Sequence, residues 1–153
     1  MRRSMSILTT AALALGGAVA LAPAASAGDY GCSGSYVGAN AIKTAGGTVW
    51  GYVDVYWDAS ASTNCAVAVA NSAGYYGTKS YKDLYLYECK TDTAGYSGGC
   101  VPIVSKFQGE EFYDYAGPLT VPGSGHCIMV IADLQSPDES QEASVASAPE
   151  FCG

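Results

Sequence analysis

Beyond its first three residues the chain contains no arginine, and its single histidine is His126. Arginine supplies the planar fork that grips phosphates, carboxylates and guanine edges, so no nucleic acid or nucleotide partner is expected. Charge is sparse and one-sided. Downstream of Arg2 and Arg3, five lysines stand against fourteen acidic residues, a formal balance of −9. Such a surface repels anionic lipid headgroups and suits solubility in an extracellular medium. No two cysteines have the C-x₂-C spacing of a zinc site, and no G-x-S-x-G nucleophile elbow is present. Gly123-Ser124-Gly125 beside His126 reads as a turn, and an oxidised Cys127 leaves His126 no thiolate to activate. No metal, cofactor or catalytic group is expected.

Only one long apolar run exists, and it lies at the N-terminus. Arg2 and Arg3 precede an uncharged stretch from about Ile7 to Leu21, followed by the small residues Ala25-Ser26-Ala27. These are the three parts of a secretory signal peptide, with cleavage expected after Ala27. The run is shorter than the roughly 20 apolar residues that span a bilayer, so the mature chain is expected to have no membrane span. The reading is a signal peptide over residues 1–27 and one mature domain over 28–153.

What is abundant is aromatic, small and sulfur-bearing. Twelve tyrosines, three phenylalanines, two tryptophans and nineteen glycines give the composition of a β-rich domain. Six cysteines, all downstream of Ala27, imply an oxidising compartment and up to three disulfides. Six cysteines permit fifteen connectivities. Cys89 and Cys100 flank a glycine-rich loop and read as a local bridge. For the others the preferred set joins Cys65 to Cys127 and Cys32 to Cys152, tying the two ends together. The competing set joins Cys32 to Cys65 and Cys127 to Cys152.

From Thr48 to Asp58 the sequence alternates with period two. Val49, Gly51, Val53, Val55 and Trp57 fall on one face, and Trp50, Tyr52, Asp54, Tyr56 and Asp58 on the other. Cys65–Ala70 is a short strand after a polar turn. Lys79–Lys90 alternates again, with Leu84 and Leu86 opposite Tyr81, Asp83, Tyr85 and Tyr87. Val101–Val104 reads as a short edge strand because Pro102 cannot donate to a ladder. Glu110–Tyr115 and Leu119–Val121 read as short strands around Gly117-Pro118, and Cys127–Leu134 as a strand covered on both faces. The tail from Gln135 to Pro149 reads as loop or one helical turn. Strands at this spacing predict an all-β domain, a small disulfide-stapled antiparallel β-sandwich with a barrel as the alternative closure.

The tyrosine-bearing faces carry the candidate binding residues: Trp50, Tyr52 and Tyr56 on one strand, Tyr81, Tyr85 and Tyr87 on the other. Amphipathic rings of this kind form plates for sugars or protein partners, or pair across strands to stabilise the sheet. Asp54 with Asp58, and Glu110, Glu111 and Asp114, are the carboxylate pairs a glycosidase would need. Asp133, Asp138 and Glu139 are a loose oxygen-ligand set that matches no calcium loop. Tyr96, inside the Cys89–Cys100 loop, would suit a proteinase pocket if that loop were rigid.

Three segments carry a resemblance. They are Val53-Asp54-Val55-Tyr56-Trp57-Asp58-Ala59-Ser60 with Asn64-Cys65-Ala66-Val67, Tyr115-Ala116-Gly117-Pro118 followed by Cys127, and the terminal Cys152-Gly153. Together with Cys32-Ser33-Gly34 they resemble the spore-associated protein A family of secreted actinomycete proteins. The resemblance implies a small secreted protein found with spores or the hyphal surface, with no established enzymatic activity. The reading is a structural or interaction protein of the spore or cell surface, with envelope polysaccharide or protein as its expected partner. It also implies a four-cysteine framework of Cys32, Cys65, Cys127 and Cys152, to which Cys89 and Cys100 are an addition that pairs with itself.

Overall fold

The computed structural model describes residues 28–152; the signal peptide expected over 1–27 lies outside the described residues. After a short 3-10 turn at Asp29–Gly31 come eight strands. They are β1 (Ser35–Thr44), β2 (Val49–Asp58), β3 (Thr63–Ala70), β4 (Ser80–Cys89), β5 (Pro102–Phe112), β6 (Tyr115–Pro122), β7 (Ile128–Gln135) and β8 (Glu142–Ala146). They form one antiparallel sheet in the order β5-β4-β7-β8-β1-β2-β3-β6. The two ends of this sheet approach each other, and Gly117 N–H of β6 donates to Gln108 Oε1 of β5 at 2.6 Å. The sheet is therefore nearly closed as a barrel. The expected all-β, disulfide-stapled antiparallel domain is present, in its barrel closure.

Alternation decides the interior. Val53 and Val55 of β2, Leu84 and Leu86 of β4, and Val130, Ala132 and Leu134 of β7 meet inside the barrel. Ala66, Ala68 and Ala70 of β3 share that interior, and small side chains there let larger ones from other strands reach the axis. A second, smaller cluster lies outside the barrel: Cys32, Tyr56, Cys65 and Val67, flanked by Tyr30, Val69 and Tyr115. The N-terminal segment lies across this outer face and covers it.

Several sequence readings are corrected. The tail read as loop or helical turn contains β8, which joins β7 to β1 through paired backbones. Its signal is weak because Ala143 is its only buried residue. The short edge strand at Val101–Val104 and the separate one at Glu110–Tyr115 are largely a single strand, β5, of 11 residues. None of its residues is fully buried, so no apolar alternation marks it. Likewise β6 runs unbroken through Gly117-Pro118, whose peptide bond is cis.

The preferred disulfide set is also corrected. The bridges are Cys32–Cys65, Cys89–Cys100 and Cys127–Cys152. Cys65 points out of the barrel, into the cluster under the N-terminal segment. Cys127 precedes β7, which is separated from β3 by β8, β1 and β2, so a Cys65–Cys127 bridge cannot form. Cys152 is brought to Cys127 by reciprocal backbone bonds between Ile128 and Glu150, both 2.8 Å. Each chain end is stapled to its nearest strand rather than to the other end.

Lys82 lies inside the barrel with no exposed surface. Its Nζ donates to Ser80 Oγ at 2.7 Å, Phe112 O at 2.9 Å and Thr78 O at 3.3 Å. Burial lowers its pKa from the ordinary lysine value, because desolvation disfavours the charged form. Near it Trp50 and Tyr75 pack edge to face at 5.3 Å. Asn71 Nδ2 binds Val49 O at 2.9 Å, so the chain after β3 shuts that end.

The disulfide assignment has a direct check. Peptide mapping of the unreduced protein will recover Cys32 joined to Cys65 and Cys127 joined to Cys152; a Cys32–Cys152 peptide would refute it. A Cys32→Ser, Cys65→Ser double variant loses roughly 3 to 4 kcal/mol in the chain-entropy model of a loop this long, read as a lower midpoint in denaturant unfolding.

Candidate functional site

Strand β4 buries Ser80, Lys82, Leu84, Leu86 and Glu88 and leaves Tyr81, Tyr85 and Tyr87 half-buried on the opposite face, where Asp83, which alternates with them, is itself only 7% exposed. On one side it pairs with β5, placing Phe107 opposite Tyr85 and Gly109 opposite Asp83. On the other it pairs with β7, placing Asp133 opposite Asp83, Ile131 opposite Tyr85 and Met129 opposite Tyr87. The rings form a row. Tyr85 and Tyr87 are parallel within 3° at 6.1 Å, and Phe107 lies 4.3 Å from Tyr85. Phe107 is 51% exposed; Ile103, the extra residue at a register shift near the start of β5, and Val101, just before the strand, are 50% and 62% exposed.

Gly109 is what lets the row close up. A Cβ there would stand 2.6 Å from Phe107 Cζ and 2.8 Å from the Tyr81 hydroxyl. Beside the rings sit two carboxylates. Asp133 N–H donates to Asp83 Oδ1 at 2.9 Å. Burial raises the pKa of Asp83, opposed by that bond and by the Tyr81 hydroxyl. Asp133 is raised by burial first, then by the charges of Asp83 and Glu142. Chemically this is a ring plate edged by acceptors, suited to binding hydroxylated, uncharged or cationic groups rather than anions.

The other expected ring residues do not join it. A bulge between Ile42 and Lys43 of β1 leaves Trp50 as the extra residue of β2 and sends it into the core against Tyr75. Tyr56 is buried in the cluster beneath the N-terminal segment. Tyr52 is 45% exposed, yet β2 is separated from β4 by β1, β8 and β7. Thus Tyr81, Tyr85 and Tyr87 share one face, whereas Trp50, Tyr52 and Tyr56 do not share it. Sequence reading missed Phe107, Ile103 and Gly109 as site residues; Phe107 shares its face with Ser105 and Gly109, and an exposed strand of this kind gives no apolar period.

The carboxylate sets also scatter. Asp58 caps the β2–β3 turn, accepting from Ser60 Oγ at 2.6 Å and from two backbone amides. Asp54 is raised by burial and by the Asp29 charge. Glu111 pairs with Lys79 at 3.0 Å on the surface, and Asp114 accepts from Gly77 N–H at 3.0 Å. Asp138 is held by Ser136 and Ser140, away from the Asp83–Asp133 face. Among the described residues no three His, Cys, Asp or Glu groups are placed to hold a metal ion. Ser80 and Lys82 are hydrogen-bonded in the manner of a serine–lysine base pair. Both are buried, however, where no substrate reaches them, and Nζ also donates to the Phe112 and Thr78 carbonyls.

The Cys89–Cys100 loop is tied down more than its glycines imply. Gly95 N–H donates to Pro149 O at 2.7 Å and Cys127 N–H to Thr91 O at 2.9 Å. Tyr96 stands out from it, 51% exposed. His126 lies in the turn before β7, its Nδ1 buried without a hydrogen-bond partner.

The chain matches no known protein family, no curated protein and no solved structure. Its fold and its outer face therefore define it: a disulfide-stapled, nearly closed antiparallel β-barrel bearing one aromatic and carboxylate face. No helix among the described residues is long and apolar enough to cross a membrane.

The acid pair makes stability depend on pH. A carboxylate whose pKa is raised by folding costs nothing below the ordinary aspartate range and destabilises as pH rises through its folded pKa. Directly opposed like charges cost roughly 0.2 to 1 kcal/mol. Asp133→Asn will therefore raise Tm at pH 7, and the gain will vanish near pH 3. An equal gain at both pH values would show that the carboxylate charge is not the cause.

Proposed function

We propose that this is a secreted, non-enzymatic protein of the spore or cell surface that adheres to envelope polysaccharide through the outer face of β4 and β5. The observation that carries the reading is the row Tyr87, Tyr85 and Phe107, on a face away from the outer cluster that the segment around Cys32 covers. Flat aromatic rings offer an apolar face to the C–H surfaces of sugars, and Tyr adds a polar rim. Asp133 lies beside the rings as an acceptor for sugar hydroxyls, with the buried Asp83 opposite it bound to its N–H. The excess of acidic residues favours a neutral or amino-bearing glycan over an anionic one. Three disulfides suit an oxidising extracellular setting, and the resemblance to spore-associated proteins agrees with a surface location. The scattered carboxylates and the buried Ser80–Lys82 pair argue against hydrolysis. Ile103 at the start of β5 and Val101 just before it, both exposed, support a second reading in which this region docks a protein.

Retention of the purified protein on insoluble spore-wall or cell-wall polysaccharide tests the first reading. Tyr85→Ala and Phe107→Ala are each expected to weaken retention about tenfold, the effect of truncating a contact worth about 1.4 kcal/mol, with little change in fold by circular dichroism. Equal retention of both variants and the wild type would sink the polysaccharide reading. Loss of binding only in Val101→Ser or Ile103→Ser, on an extract stripped of glycan, would favour the protein partner.

A further inference from the structure

The two ends of the barrel are unlike. At one end Lys82 and Trp50 are buried, with Tyr75 packed edge to face on Trp50. The other holds a cavity of about 220 Å³ lined by Val37, Trp57, Asn64, Phe151 and Cys152. Mouths of β-barrels are common places for small ligands, and this volume is below that of a drug-sized site, so it suits one small ring or a fragment of one. Val37 is the extra residue of a second bulge in β1, between Tyr36 and Gly38. Phe151 is held at φ 49°, a left-handed backbone conformation that is unfavourable for a bulky residue. The Cys127–Cys152 bridge, the Ile128–Glu150 backbone pair and the Asn40 amide on Glu150 keep it there. Strain retained by so many tethers is a mark of a built site. The walls carry no charged side chain.

The polar group in this apolar setting is Asn64. It is 1% exposed, and its amide nitrogen has no hydrogen-bond partner. The nitrogen presses on Gly123, where a Cβ would overlap it and would also stand 2.9 Å from Trp57 Cζ3. A buried donor without a partner is costly, and native structures rarely leave one without a reason. Rotation about the Asn64 Cβ–Cγ bond exchanges the two nearly isosteric ends of the amide and offers N–H to whatever fills the cavity.

We infer that the open barrel mouth is a binding site for a neutral acetamido-bearing sugar unit. The acyl oxygen accepts from Asn64, and the methyl and ring C–H faces lie against Trp57 and Phe151. This site is separate from the β4–β5 face and does not depend on it. A plain hexose lacks the acyl oxygen and satisfies Asn64 less well.

The probes are N-acetylglucosamine and glucose, titrated into the disulfide-intact protein. Tryptophan emission is measured in a Trp50→Phe background, where it comes from Trp57 alone, and the side-chain amide signals of Asn64 are followed by NMR in the wild type. N-acetylglucosamine is expected to shift both at concentrations at least tenfold below any effect of glucose. Asn64→Leu is expected to lose that preference while keeping or raising Tm, since it removes the orphan donor; a purely structural Asn64 would lower Tm. Unmoved Asn64 amide signals in the wild type, or equal responses to both sugars, would overturn the assignment whether or not the variant folds. Tyr85→Ala serves as the control, because it will leave this titration unchanged even where polysaccharide retention is lost.

Discussion

A barrel of eight strands has one interior, and alternate residues from seven of its strands must fill it. That requirement decides the rest of the molecule. Once Val53, Val55, Leu84, Leu86, Val130 and Leu134 are committed to the inside, every intervening residue is committed to the outside. Tyr81, Tyr85 and Tyr87 are on the surface because Leu84 and Leu86 are not. The exception, β5, contributes no fully buried residue to the core. It is held by its pairing with β4 and by the Gln108–Gly117 bond across the seam. Pro102, Lys106 and Gly109 along it are residues that discourage further strand addition at an edge.

The outer surface is divided by what the chain ends cover. The N-terminal segment, stapled through Cys32–Cys65, lies over β2, β3 and β6 and turns Tyr56 and Val67 into a second core. The C-terminal segment, stapled through Cys127–Cys152, forms one wall of the open barrel mouth. Among the described residues neither segment covers the β4–β5 face. Local bridges thus do more than stiffen the fold: they set which aromatic residues are packed and which remain free to meet a partner.

Alternation made β2 and β4 legible, since Val53, Val55, Leu84 and Leu86 recur every second residue. It failed where one residue was added. The bulge at Trp50 shifts a ring that strict alternation assigns to the tyrosine face into the core. It failed again where burial is slight, as in β5 and β8, because a strand without an apolar face has no period to detect. The candidate site was half legible for the same reasons: its β4 rings were visible, while Phe107, Gly109 and the Asp83–Asp133 register depend on strands distant in sequence.

By itself the sequence determined the content of cysteine available for bridging, the all-β composition, the acidic balance and the inward and outward residues of the strongest strands. These follow from local chemistry: cysteine content, side-chain type and a two-residue period. Only the tertiary structure decided which cysteines pair, which tyrosines share a face, and that Asn64 is buried beside an open cavity. Each of those depends on which strands become neighbours, and strand order is settled by closing one common interior, which no short stretch of the chain specifies.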